Sequence, residues 1–212
     1  MLKKIRSLVS NSKSFLEIYD NVIPEEECDI LVAKFEKSIT QRGKLLLSNS
    51  QVGELPEYKS CTELVGTNFK EGDVISNIIK QRLHGCIDKY NEKYHSCLSE
   101  LGFWGIDEFY NVQRYDGDEE GYFAWHTERG HSLVNSKRLL VWMFYLNDAQ
   151  SGTEFVNFPT VEGKKGRCVV WPAGWEYTHR GVTPNKGLKY IATGLCSYLN
   201  PKDLPNGQSF SK

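Results

Sequence analysis

The sequence lacks a charge bias. Lys plus Arg number 26 against 27 Asp plus Glu in 212 residues, a formal net charge of −1. That near-balance argues against a strongly basic chain that coats nucleic acid and against an acidic disordered tail. No stretch approaches the roughly 18 apolar residues that a membrane span needs. The start, Met1 to Ser14, is basic but has no apolar run of the length a secretory signal requires. Repeats and low-complexity segments are absent. None of the six cysteines (Cys28, Cys61, Cys86, Cys97, Cys168 and Cys196) forms a C-x-x-C pair, which excludes a zinc ribbon and a thioredoxin-like redox motif. An even count permits three disulfides, but a chain of this size does not need them. Reduced, structural thiols in a cytoplasmic setting are expected.

What is present is core-forming material. Apolar residues make up 40% and aromatics 12%, with 5 Trp, 11 Tyr and 10 Phe, so one folded domain over residues 1–212 is expected. Phe15 to Tyr19 reads as a short strand. Pro24-Glu25-Glu26-Glu27 reads as the acidic first turn of a helix carrying Cys28, Leu31, Val32 and Phe35 at helical spacing. A second helix is predicted from about Asp73 to Leu98. There Val74, Ile75, Ile78, Ile79, Leu83, Cys86, Ile87, Tyr90 and Tyr94 recur at three and four. Gly43, Gly53 and Pro56 break residues 40–70, which resist assignment.

From Phe109 the texture becomes strand and turn, with strands expected at 108–115, 121–128, 138–146, 153–157, 167–171, 176–182 and 188–198. Short strands at this spacing suggest a β-sandwich or barrel such as a jelly roll. The expectation is an α+β chain with a mainly β core: a helical supporting layer over about 15–105, the β-core over about 106–199, and a loosely ordered tail over 200–212.

Of the five histidines, His84 and His95 fall in the long helix and read as ordinary helical residues. His126 stands in Gly121-Tyr-Phe-Ala-Trp-His-Thr-Glu128. Read as a strand, that segment presents the His126 imidazole and the Glu128 carboxylate on one side. A lone H-x-E is common by chance and needs a third ligand. His179, in the polar-aromatic stretch Trp175 to Pro184, is the candidate. Two histidines and one carboxylate form the facial triad of non-haem Fe(II) oxygenases. Zinc hydrolases can use the same set with water as fourth ligand, so the triad alone leaves the metal open. Ten residues on, Lys189, Ile191 and Thr193 share a strand face. A lysine pointing into a core is costly without a partner anion; a dicarboxylate such as 2-oxoglutarate would supply one.

Taken together, Tyr115 to Glu128, Tyr145-Leu146-Asn147, Ser151-Gly-Thr-Glu-Phe155, Val170-Trp171-Pro172, His179 and Lys189 resemble the 2-oxoglutarate/Fe(II) dioxygenase superfamily, specifically its prolyl 4-hydroxylase branch. The opening stretch FLEIYDNVIPEEECDILVAKFE looks like that branch's first strand and helix. The resemblance implies a double-stranded β-helix (jelly roll, cupin-like) with N-terminal helices. It also implies hydroxylation of an unactivated C–H bond, in a prolyl residue of a peptide or protein, with formation of succinate and CO2. The cofactor and cosubstrates implied are Fe(II), 2-oxoglutarate and O2, with ascorbate a further candidate. Carried over by position, His126, Glu128 and His179 would bind iron and serve catalysis. Lys189 would bind the distal carboxylate of 2-oxoglutarate, with Tyr145, Tyr115 and Thr193 as further pocket residues.

The chain departs from the branch in having Glu128 in place of Asp, in a longer interval from Tyr115 to His126, and in Gly152 alone for a double glycine. A Glu128 turned away would leave a two-histidine centre. Gly163-Lys-Lys-Gly-Arg167 reads as a solvated hairpin. Arg129 and His131 could line a pocket mouth or the surface, and Trp125, Trp142, Trp171 and Trp175 could be core or substrate-stacking residues. Rival readings keep the machinery on a free amino acid, a small metabolite or a nucleobase. Others make the chain a non-catalytic cupin-like binding module or a zinc hydrolase. Nucleic acid is disfavoured as a partner by the charge balance.

Overall fold

The computed structural model describes residues 14–46, 51–64, 69–70 and 72–200. The tail expected from 200 onward, apart from Asn200 itself, lies outside them. Strand β1 (Glu17–Tyr19) leads to helix α1 (Glu25–Glu36), whose first turn carries Glu25, Glu26 and Glu27 against the positive end of the helix. The face holding Cys28, Leu31 and Phe35 is buried, as its spacing predicts. Five short strands fill the unassigned region: β2 (Thr40–Arg42), β3 (Leu45–Leu46), β4 (Val52–Gly53), β5 (Lys59–Ser60) and β6 (Thr62–Leu64). Helix α2 (Val74–Lys93) begins after Asp73, whose carboxylate accepts the Ser76 N–H at 2.7 Å. The predicted helix to Leu98 is divided at Tyr94, beyond which α3 (His95–Leu98) forms one further turn.

The β-core comprises β7 (Trp104–Asp116), β8 (Gly121–Tyr122), β9 (Arg138–Tyr145), β10 (Gly152–Phe155), β11 (Val161–Glu162), β12 (Cys168–Pro172), β13 (His179–Val182) and β14 (Leu188–Tyr198). The large antiparallel sheet runs β1-β12-β9-β14-β7-β6-β2, and a smaller one runs β11-β10-β13. Strand β9, Arg-Leu-Leu-Val-Trp-Met-Phe-Tyr, is apolar almost throughout because both its faces are covered. Leu140, Trp142 and Phe144 pack with Leu31, Phe35, Ile79 and Leu83 of the helices, whereas Val141, Met143 and Tyr145 pack with Phe155 and Val161 of the smaller sheet. The same alternation in β14 sends Tyr190, Ala192 and Cys196 to the helical side and Lys189 and Ile191 to the inter-sheet side.

Three expectations are corrected. The strand expected over 121–128 ends at Tyr122, because the N–H groups of Phe123 and Ala124 both turn to the Tyr58 carbonyl, at 2.8 and 3.2 Å. Only an isolated antiparallel bridge between His126 and His179 follows. The strand expected over 176–182 begins at His179, after a 3-10 turn at Trp175–Tyr177. Gly163 to Arg167 is no solvated hairpin, since it crosses between the two sheets and is held by ion pairs. Lys165 pairs with Asp29, and Arg167 with Asp20, both at 2.7 Å; the Gly166 carbonyl accepts from Val22 and Ile23.

Of the tryptophans, Trp142 and Trp171 are core, and Trp125 and Trp175 are exposed. The six thiols are unpaired, and all but Cys97 are buried. No described helix is long and apolar enough to cross a membrane.

Gly194 shows how tightly the helical side is filled. A Cβ added there would stand 2.4 Å from the Trp142 ring, beside the register shift between Gly194 and Cys196. The variant Gly194→Ala is therefore expected to cost about 1–3 kcal/mol by overpacking. Thermal unfolding would show it as a loss of roughly 2–4 °C in Tm per kcal/mol for a chain of this size. An unchanged Tm would contradict this packing.

Candidate metal centre

His126 and His179 come from segments far apart in sequence and meet through the backbone. The His126 N–H donates to the His179 carbonyl at 3.0 Å, and the His179 N–H returns a bond to the His126 carbonyl at 2.9 Å. This reciprocal pair sets the imidazole centroids 4.3 Å apart. Each ring is then oriented by the carbonyl two residues before it: His126 Nδ1 lies 3.0 Å from the Ala124 oxygen and His179 Nδ1 2.9 Å from the Tyr177 oxygen. A carbonyl can only accept, so each Nδ1 carries the hydrogen and each Nε2 keeps its lone pair for a metal. The Tyr122 ring stacks on His126 with centroids 3.6 Å apart, and Phe155 and Trp171 enclose His179.

Glu128 completes the group, its Oε1 lying 3.6 Å from His126 Nε2. One donor atom from each of the three residues lies within 4.8 Å of the others. The alternation argument for His126 and Glu128 used a strand that is not there, yet both side chains reach the same place. Burial would raise the Glu128 carboxyl, but His126, His179 and Arg138 beside it hold it down at about 2. Burial, assisted by His126, pushes His179 down to about 4. Both are thus in ligand form at neutral pH. Two imidazoles and a carboxylate suit a non-haem Fe(II) ion, and zinc could be held by the same donors.

The three residues line a cavity of about 330 Å³ together with Lys189, Tyr115, Thr153, Ile191 and Thr193. That is within the size range of small-molecule sites, roughly 300–1,000 Å³. Lys189 is only 4% exposed. Its ammonium donates to the Gly152 and Val182 carbonyls at 2.8 and 3.3 Å and lies over the Tyr115 and Tyr145 rings. Burial pushes its pKa down to about 7. The predicted shared face of Lys189, Ile191 and Thr193 does point into the cavity. A cavity with a buried amine at one wall and three metal-type donors at another fits a keto acid carrying a second carboxylate.

Of the predicted pocket residues, Tyr115, Lys189 and Thr193 line the cavity and Tyr145 does not. The Tyr145 hydroxyl is bonded to Thr153 Oγ1 at 2.6 Å, and Thr153 is the residue that lines the cavity. The Tyr115 hydroxyl donates to Gln113 Oε1 at 2.8 Å, while its ring forms part of the wall. Gln113 in turn donates to Glu63 at 2.8 Å, and Glu63 pairs with the buried Lys59. Sequence reading missed this Lys59–Glu63–Gln113–Tyr115 chain because Lys59 and Glu63 fall in the unassigned 40–70 region. It also missed Arg138. Thr153 stands in the Ser151-Gly-Thr-Glu-Phe155 stretch already singled out for its resemblance, where it carried no role. Arg129 and His131 are exposed, and neither lines the cavity. His84 and His95 lie exposed on α2 and α3.

Residues 110–196 match the model of the 2OG-Fe(II) oxygenase superfamily. No curated protein matches the sequence. Among solved structures, the fold is similar to a viral collagen prolyl hydroxylase of Paramecium Bursaria Chlorella virus-1 in complex with 2OG, with TM-score 0.63, 19% identity and coverage of 88% of this chain and 97% of that one. It is also similar to a Trichoplax adhaerens prolyl hydroxylase bound to a hypoxia inducible factor peptide fragment, with TM-score 0.64, 16% identity and coverage of 95% and 93%. A Pseudomonas putida prolyl-4-hydroxylase gives TM-score 0.56 and 14% identity, with coverage of 94% and 100%. The match over residues 110–196 and the jelly-roll architecture thus support a 2-oxoglutarate-dependent dioxygenase of the 2OG-Fe(II) oxygenase type, prolyl 4-hydroxylase-like in fold.

Proposed function

We propose that the chain hydroxylates a prolyl residue in a peptide or protein, forming succinate and CO2. In this reading His126, Glu128 and His179 hold Fe(II), and Lys189 holds 2-oxoglutarate by its distal carboxylate. The observation that carries it is a buried ammonium opening into the same 330 Å³ cavity as three converged metal donors. When bound, the metal and keto acid supply the oxidising chemistry with O2. The protein's own work is positional. The Ala124 and Tyr177 carbonyls fix which imidazole nitrogens face the metal. Trp171 and Phe155 keep water from His179. Thr153, bonded to Tyr145, lines the same cavity as the amine, and Thr193 lines the wall on the same strand face as Lys189. A prolyl substrate accords with what the three similar structures are named for. The test is succinate formation from 2-oxoglutarate with Fe(II) and ascorbate in air, across proline-containing peptides, free proline and nucleic acids. Peptide-dependent turnover is expected. Stimulation by free proline alone would reassign the substrate, and no turnover at all would support a binding module.

Replacing Lys189 removes one charge-assisted contact, worth roughly 1.5–3 kcal/mol. Lys189→Ala is thus expected to weaken 2-oxoglutarate binding by about 100-fold while leaving Fe(II) affinity within about threefold. Anaerobic titrations of each would show this, and equal losses would contradict the assignment.

The same lysine makes binding pH-dependent. Burial keeps the free amine's pKa near 7, and its neighbours are two carbonyls and two tyrosines. Burial also pushes Tyr145 up to about 12 and raises Tyr115 well above the ordinary phenol range, so neither ionises in this range. A carboxylate arriving beside Lys189 restores its proton. At pH 8 binding should therefore take up close to one proton, and affinity should fall about tenfold per unit above pH 7. Calorimetry in buffers of differing ionisation enthalpy measures the uptake; zero uptake would exclude a neutral resting lysine.

A further inference from the structure

The three candidate ligands are not equally well fixed. Both histidines sit on the reciprocal backbone bridge, whereas Glu128 lies outside every strand. Its side chain also has one more rotatable bond than the aspartate of the resembling branch, and fixing a glutamate costs conformational entropy. Something must hold it, and the residue that does so opens β9.

Arg138 Nη1 donates to the Glu128 carbonyl oxygen at 3.0 Å and to the Glu128 carboxylate Oε2 at 2.9 Å. One nitrogen thereby joins both ends of a single residue. The side chain is curled back toward its own backbone, and the extra methylene is absorbed in the curl. Oε2 is committed to the guanidinium, and Oε1 is left toward His126. Arg138 is held in turn, because Arg129 Nε donates to the Arg138 carbonyl at 2.7 Å. The two arginines thus clasp the base of the 129–137 loop from opposite sides. Thr127 Oγ1 and Arg129 N–H both bond the Ala173 carbonyl, at 2.8 and 2.9 Å, which ties this clasp to the end of β12.

We propose that Arg138 is a positioning residue for the metal centre: it selects the curled form of Glu128 and makes it a single-oxygen donor, so that a glutamate serves where the resembling branch uses aspartate. This rests on the reading of Glu128 as a ligand. Without the guanidinium, the carboxylate is free to swing and to offer either or both oxygens. A second-sphere contact of this kind typically sets metal affinity by 10–100-fold.

Anaerobic Co(II) titration of the purified full chain tests it, read by the d–d absorption bands, with no turnover required. Arg138→Gln is expected to weaken Co(II) binding by about 10–100-fold and to alter the band pattern. Arg138→Lys should recover part of the loss, since a single ammonium can still reach one of the two oxygens. In a Glu128→Gln background, Arg138→Gln should cause no further loss, because the carboxylate it positions is gone. Wild-type affinity in Arg138→Gln, or the same fold-loss in both backgrounds, would overturn the proposal. If circular dichroism shows that Arg138→Gln does not fold, Arg138→Lys carries the test: a loss confined to the Glu128 background supports positioning, and an equal loss in both overturns it. A wild-type chain that binds no Co(II) would instead sink the metal-centre reading, which separates the two failures.

Discussion

Two backbone hydrogen bonds between His126 and His179 are the constraint on which the centre depends. Neither residue lies next to the other in any element longer than a single bridge, yet the pairing fixes both Cα positions and so the separation of the imidazoles. Orientation comes from a second, local device used twice. Each ring nitrogen Nδ1 faces the carbonyl of the residue two positions earlier, so one geometric rule sets the tautomer on both sides. The aromatic rings packed around the pair restrict the imidazoles further and keep His179 dry. Rigid placement of this kind is what a metal site asks of its protein before any ion arrives.

The opposite wall depends on a different balance. A buried amine whose partners among the described residues are carbonyls and ring faces is a cost that the fold carries, since burial disfavours its charged form. The large sheet can carry it because β14 is sandwiched between β9 and β7 and covered on its other face by helices, so Tyr190, Ala192 and Cys196 anchor the strand. A residue that destabilises its own strand and opens into a cavity reads most simply as a place where a ligand completes the structure.

Much of this was legible in the chain. Residue types carried the helices, since Leu31 and Phe35 or Ile79 and Leu83 recur at 3.6-residue spacing and do face the core. Period-2 alternation carried β14 and put Lys189, Ile191 and Thr193 on the cavity side. His126, Glu128 and His179 were identified as a group, although the strand invoked to align the first two breaks at Tyr122. Its pattern looked continuous because aromatic residues follow Tyr122, and nothing local reveals that the next two N–H groups bond Tyr58. The rest was long-range. Lys59 and Glu63 stand four apart, a helical spacing, but occupy two short strands and meet Gln113 only through the sheet. Arg138 lies ten residues beyond Glu128 and finds it because the intervening loop folds back. Gly163 to Arg167 looked like a polar turn because its acidic partners, Asp20 and Asp29, are more than a hundred residues away.

The placement of the thiols has a practical consequence. Five of the six are enclosed, and burial drives those of Cys28, Cys61 and Cys196 away from thiolate, so they neither compete for a soft metal nor invite alkylation. Cys97, on the last helical turn before the β-core, is the exposed exception. A maleimide dye or spin label added to the folded chain would therefore attach at one address, on the surface of the helical layer.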